Sequence, residues 1–227
     1  MSKTPPAWSF SSIKTFDTCP RKYQSEKVTK EVQFRDTEAT LYGKDFHSAA
    51  EEYVRDGKPI EPRFGFIQPL LDKILEIPGE IHCELKMGIK YDADRLVPCD
   101  FFDPDVYFRG IADLVIIGKR KARIADYKTS KSVAYADTRQ LALMAAALML
   151  KYPHIEEVKA ALLFVTLKDF PAVEAEYNRD NMLEIFSTLD PLLVQREAAY
   201  KHDVWNPKPN GLCKKWCQTV CPHNGSL

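Results

Sequence analysis

Two aspartates and a lysine, Asp113, Asp126 and Lys128, lie in FRGIADLVII and KARIADYKTS, which read as the two arms of one β-hairpin. A turn centred on Lys119 and Arg120 pairs residue 117 with 122, 115 with 124 and 113 with 126, so the two carboxylates face each other across adjacent strands. Directly opposed residues have Cβ atoms about 5 Å apart, and like charges placed that way are destabilising. Alternation puts Ile124, Asp126 and Lys128 on one face of the second arm, beside Ile111, Val115 and Ile117 of the first. Two acids and an amine on an otherwise apolar face are costly unless something compensates them. A hard divalent cation, Mg2+ or Mn2+, would do so, because such ions take oxygen-rich sites. A buried salt bridge from Lys128 to one acid, with the other reaching solvent at a sheet edge, satisfies the same pattern.

Other elements must position this hairpin. A helix over 40–56, closed by Gly57, carries His47 and Glu51 four residues apart on one face, so the imidazole either bonds Glu51 or joins a metal. Ser11 or Ser12 caps a short helix running toward Cys19-Pro20, and 62–77 reads as a further helix. The period then changes to a strand over 81–91, whose Glu84 reads first as a surface residue and second as an acid that supports a ligand or faces the substrate, followed by a loop through Pro98 and Pro104. After the hairpin, QLALMAAALML is apolar nearly all round, as a helix buried against a sheet would be. VKAALLFVTL returns as a strand parallel to KARIADYKTS through a right-handed crossover, followed by a strand over 172–178 and a helix over 181–202. Ala112, Leu114, Ile116 and Ala125 make the hairpin's other face apolar too, so the sheet is covered on both sides. The fold class is α/β, a mixed central sheet flanked by helices.

The chain's 227 residues support a core of one large domain. Thirty-two basic and thirty-two acidic residues exclude a global pull toward nucleic acid or an anionic surface, so any basic surface is local. The candidates are Lys119, Arg120, Lys121, Arg123, Lys128 and Lys131, with a second cluster at Lys208, Lys214 and Lys215. The N-terminal stretch lacks the apolar core of a secretory signal, and the longest apolar run is too short to span a bilayer, which points to a cytoplasmic protein without a membrane partner. In a reducing compartment Cys213, Cys217 and Cys221, in GLCKKWCQTVCPH, suggest a metal site rather than disulfides, and Cys19 in DTCPRKY could complete it. Thiolates suit iron-sulfur clusters or Zn2+, the latter with His223 as a nitrogen ligand. Cys83 and Cys99 read as packing residues. Trp216 and Tyr23, near the cysteines, either stack bases or pack.

In order along the chain, GKDFHSAAEEYV, CELKMG, FRGIADLVII, IADYKTSK, RQLALMA and the terminal cysteines resemble the PD-(D/E)xK nucleases, and among them the RecB-like exonucleases with CRISPR-associated and phage-encoded members. The resemblance implies a restriction-endonuclease-like core within one nuclease domain. Segments 1–39 and 203–227 would form a cysteine subdomain around a 40–202 catalytic core. It implies that His47, Asp113, Asp126 and the Tyr127 carbonyl ligate Mg2+ or Mn2+, and that Lys128 is catalytic. Gln140 matches the glutamine of the family's Q-x-x-x-Y motif, while Met144 stands where the tyrosine would be. It further implies that Cys19, Cys213, Cys217 and Cys221 hold a 4Fe-4S cluster, although their C-x3-C-x3-C spacing leaves Zn2+ open. The expected activity is metal-dependent exonucleolytic hydrolysis of single-stranded DNA or duplex ends in recombination, repair or phage DNA processing, alongside recombination or single-strand-binding proteins. A catalytically silent DNA-binding module of the same fold and a nuclease of CRISPR spacer acquisition are the alternatives.

Overall fold

The computed structural model describes residues 5–32 and 35–224; residues 1–4, 33–34 and 225–227, all within the segments expected to form the cysteine subdomain, lie outside the described residues. The helices are α1 (Phe10–Thr18), α2 (Pro20–Tyr23), α3 (Glu38–Asp56), α4 (Gln68–Leu75), α5 (Arg139–Lys151), α6 (Met182–Ser187), α7 (Asp190–His202) and α8 (Cys213–Trp216). The strands are β1 (Glu80–Asp92), β2 (Arg95–Cys99), β3 (Phe108–Ile117), β4 (Lys121–Lys128), β5 (Glu157–Phe164) and β6 (Ala172–Asn178). They form one mixed six-stranded sheet in the order β2-β1-β3-β4-β5-β6. Only β4 and β5 run parallel, joined through α5, as the apolar helix between them requires.

The hairpin has the expected register, with Ile117 opposite Ala122 and Val115 opposite Ile124. Its turn is closed by Gly118 N–H donating to the Lys121 carbonyl at 2.8 Å. On one side of the sheet Phe46 and Ala50 of α3, Phe64, Ile67, Leu71 and Ile74 pack against Leu114, Ile116, Tyr127 and Val165. On the other lies α5, in which Leu141 and the run from Leu143 to Met149 are buried. The sheet is therefore covered on both faces. Among the described residues no helix is long and apolar enough to cross a membrane.

Four local expectations need correction. The cap of α1 is Ser9, in a reciprocal capping box with Ser12, because only a residue in extended backbone outside the helix can aim its hydroxyl at the first-turn N–H groups. The 62–77 segment opens as a 3-10 helix, Pro62–Ile67, before α4. Pro98 lies inside β2 rather than in a loop, which is possible because β2 is an edge strand. The helix over 181–202 is split into α6 and α7, with Pro191 in the first turn of α7, where its missing N–H costs nothing.

The chain divides into two compact units, residues 36–186 and residues 1–35 with 187–227. The first contains the sheet. In the second, α1 packs on α7, and Arg196 is buried with its guanidinium donating to the Tyr23 hydroxyl (2.9 Å) and the Pro6 carbonyl (2.6 Å). Tyr23 stacks on Trp205 and is only 1% exposed, so it packs and cannot stack a base; Trp216 is exposed.

Candidate metal centre

Asp113 lies where the β3–β4 ladder stops. The last pair is Leu114 opposite Ala125, and beyond it the Asp113 carboxylate takes the place of a backbone acceptor, with Oδ2 accepting the Tyr127 N–H at 2.7 Å. The same oxygen is 3.3 Å from Nδ1 of His47 on α3. Glu51, the other candidate partner of His47, instead pairs with Arg55 one turn on.

Sequence reasoning ranked the third member, Glu84, as a surface residue ahead of any part in the site. Strand β1 pairs Cys83 with Leu114 and Leu85 with Ala112, which sets Glu84 opposite Asp113. Glu84 and Asp113 thus stand side by side on adjacent strands, whereas the pairing of Asp113 with Asp126 expected from the hairpin does not form, because the β3–β4 ladder ends at Leu114 and Ala125. Glu84 has φ of 50°, a left-handed conformation that non-glycine residues rarely hold and that concentrates at functional sites. One ligand atom each from His47, Glu84 and Asp113 all lie within 4.8 Å of one another. Two oxygens on one Mg2+ ion at 2.0–2.1 Å sit at most about 4.2 Å apart, so a small closing of side chains suffices, and the hard oxygen-nitrogen donor set fits Mg2+ or Mn2+.

Asp126 is outside that trio but coupled to it. It is 3% exposed, on the α5 side of the sheet, and pairs with Lys128. Gln140 at the start of α5 links the two, its Nε2 donating to Asp126 Oδ1 at 2.7 Å and its Oε1 accepting from Lys128 Nζ at 2.9 Å. Met144, one turn along, is buried. The Tyr127 ring packs edge-on against Phe46 and His47, with its hydroxyl buried.

The electrostatics match crowded acids. Burial first, and then the charge of Asp113, push Asp126 up to about 6, against the pull of Lys128. Burial and Asp113 likewise raise Glu84. Burial works against a charged His47, yet the hydrogen bond and charge of Asp113, with Asp126 and Glu84 behind it, leave its pKa above the usual value. A divalent cation would replace these protons and relieve the repulsion.

The basic clusters fare differently. Arg120 pairs with Glu156 and Lys121 with Glu157, so those two cations of the hairpin tip are compensated. In the other unit Cys19, Cys213, Cys217 and Cys221 line one pocket together with Lys208 and His223. Backbone N–H groups of Lys208 and Asn210 donate to the sulfurs of Cys19 and Cys213 at 3.4 and 3.3 Å.

The sequence model of the PD-(D/E)XK nuclease superfamily matches residues 7–224. Among solved structures, a Eubacterium rectale protein named "Putative exonuclease" is similar at a TM-score of 0.51 and 12% identity, over 96% of this chain and 87% of that one. SSO0001 is similar at a TM-score of 0.44 and 15% identity, over 99% of this chain and 90% of that one. At 12% identity the likeness to the Eubacterium rectale protein speaks to the fold alone. No protein with a curated description matches the chain.

Proposed function

Because the chain belongs to the PD-(D/E)XK nuclease superfamily, we propose that its site hydrolyses phosphodiester bonds of DNA, acting exonucleolytically on single strands or duplex ends in recombination, repair or phage DNA processing. The observation that carries this reading is the convergence of His47, Glu84 and Asp113 beside the Lys128–Asp126–Gln140 network.

In this reading His47, Glu84 and Asp113 hold the cation, with Asp126 and the Tyr127 carbonyl completing its surroundings. When bound, Mg2+ or Mn2+ supplies polarisation of a phosphoryl oxygen and a water of lowered pKa. Lys128, fixed by Gln140 and Asp126, offers its ammonium to charge growing on the phosphate oxygens and orients the attacking water. Tyr127 N–H holds the Asp113 carboxylate in place, so the ligand does not depend on its own rotamer entropy. Attack of water on phosphorus would break the P–O3′ bond, leaving a 3′-hydroxyl on one fragment and the phosphate on the 5′ end of the other, as the family resemblance implies.

We also assign the four cysteines to a 4Fe-4S cluster that ties residues near the two ends of the chain. Supporting this are the shared pocket and the two N–H···S bonds, which orient the Cys19 and Cys213 sulfurs. Anaerobically purified protein should be brown, with iron and sulfide in equal amounts. A colourless protein with stoichiometric zinc would overturn the assignment.

Digestion of end-labelled DNA tests the nuclease reading. Products should appear with Mg2+ or Mn2+ and vanish with chelator, and Asp113→Ala or Lys128→Ala should slow cleavage at least ~100-fold while far-ultraviolet circular dichroism stays unchanged. Full activity in either variant removes the assigned roles. DNA binding without cleavage by the intact protein would leave only a silent module of the same fold.

A further inference from the structure

Phe102, in the turn between β2 and β3, is 70% exposed, and its ring meets Phe101 edge-on at a centroid distance of 5.1 Å. The turn is not loose. Asp100 Oδ1 accepts the Phe102 N–H at 2.8 Å, and Asp103 takes both Lys90 Nζ and the Asp105 N–H at 2.8 Å. Gly88 of β1 lets the turn press onto the sheet, since a Cβ there would lie 2.6 Å from the Asp100 carbonyl oxygen. An exposed aromatic on a clamped turn has little conformational entropy left to lose on meeting a ligand.

Two cations accompany the rings. Lys86 Nζ lies 5.9 and 5.5 Å from the Phe101 and Phe102 centroids, and Arg109 Cζ lies 5.5 Å from that of Phe101. Neither has an acidic partner among the described residues, and the buried Nε of Arg109 has no hydrogen-bond acceptor there. That is the reverse of Arg120 and Lys121 at the hairpin tip, whose charge is spent on Glu156 and Glu157.

Register joins this cluster to the metal centre. Lys86 is opposite Ile111 and Gly88 is opposite Arg109, and residues 109, 111 and 113 of β3 share a face. At about 3.3 Å per residue, Arg109 lies roughly 13 Å along the strand from Asp113, with Lys86 between them. Uncompensated cations leading from the acids to a planar apolar surface complement a ligand that alternates anionic and planar groups.

We infer that Phe101 and Phe102, with Lys86 and Arg109, form a platform on which unpaired bases of a single nucleic-acid strand stack while its backbone runs toward Asp113. This rests on the nuclease reading and narrows it, because a base inside a duplex has no free face for Phe102.

The test is equilibrium binding of a fluorescein-labelled oligothymidylate and of a blunt duplex, with Ca2+ in place of Mg2+. The intact chain is compared with Phe102→Ala and Phe102→Trp. Stacking on one aromatic side chain corresponds to a loss of about 5- to 150-fold on alanine substitution. Phe102→Ala should weaken single-strand binding within that range and leave duplex binding unchanged, and Phe102→Trp should restore it. Equal single-strand affinity in Phe102→Ala and the intact chain, an equal loss for strand and duplex, or no single-strand binding at all would each overturn the platform. The nuclease reading fails separately, if the intact chain binds the strand but never cleaves it with Mg2+ or Mn2+.

Discussion

Asp126 and His47 hold their protons to higher pH than the free side chains would, and this gives the site a pH signature. The Asp126 carboxyl, raised to about 6 by burial and by Asp113, keeps a proton in the metal-free folded chain at pH values where the unfolded chain has lost it. Its stabilising contribution is therefore full below the ordinary aspartate range and disappears as pH rises through about 6. Urea unfolding of metal-free protein should show that decline, and Asp126→Asn should flatten it. Metal affinity runs the other way, strengthening as pH climbs through the same window, and calorimetry in buffers of different ionisation enthalpy should record proton release on Mn2+ binding near pH 6. Gln140 acts through Lys128 and Asp126. Gln140→Ala should lower cleavage about 10- to 100-fold and move the acid limb of the pH–rate profile upward, because Asp126 loses an N–H that favours its charged form. A lower rate with an unmoved profile would mean that Gln140 only packs. The hairpin register that carries Asp113, Asp126 and Lys128 was legible because a hairpin fixes its own register from a short turn. Glu84 was not, since its place opposite Asp113 depends on β1 pairing with β3 across an intervening strand and turn, which local spacing does not reveal.

Helix α3 delivers His47, and its ends show how an element is held to a site. Thr37 caps it in a reciprocal box with Thr40, and Gly57 closes it at φ of 65°. Removing the cap with Thr37→Ala should cost about 1 kcal/mol by thermal or denaturant unfolding. An unchanged midpoint would show that α3 is held by packing alone. Phe46 and Ala50 are fully buried against Leu114, Ile116 and Tyr127, so packing carries most of the helix's attachment. Strands β1, β3, β4, β5 and β6 were readable from their apolar patterns and α5 from its apolar circumference, whereas β2 was read as a loop because Pro98 interrupts it. The breaks were harder to see. A proline splits or softens a helix only according to where the chain finds a cap, which is why 62–77 begins as a 3-10 turn and 181–202 becomes two helices.

At the scale of the whole molecule, chemistry is divided between two compact units. His47, Glu84 and Asp113, which could hold a metal ion, belong with Lys128 and the aromatic turn to residues 36–186, and the four cysteines to the other unit. A cofactor bound only by the folded state stabilises it, so Cys213→Ser should lose the visible chromophore and lower the unfolding midpoint. A variant that keeps both would show that the cysteines hold no cluster. Cysteine spacing made the gathering of Cys19, Cys213, Cys217 and Cys221 around one pocket legible, whereas the Phe101–Phe102 cluster was invisible because Lys86 and Arg109 lie on different strands and meet only when β1 and β3 pair.

The account depends most on one cation held between Glu84, Asp113 and His47, and a Mn2+ titration followed by electron paramagnetic resonance tests it directly. One ion per chain should bind near neutral pH, and Glu84→Gln and Asp113→Ala should each weaken binding and cleavage together by on the order of tenfold or more. Unchanged Mn2+ affinity in both variants, or cleavage that persists in chelator, would contradict it.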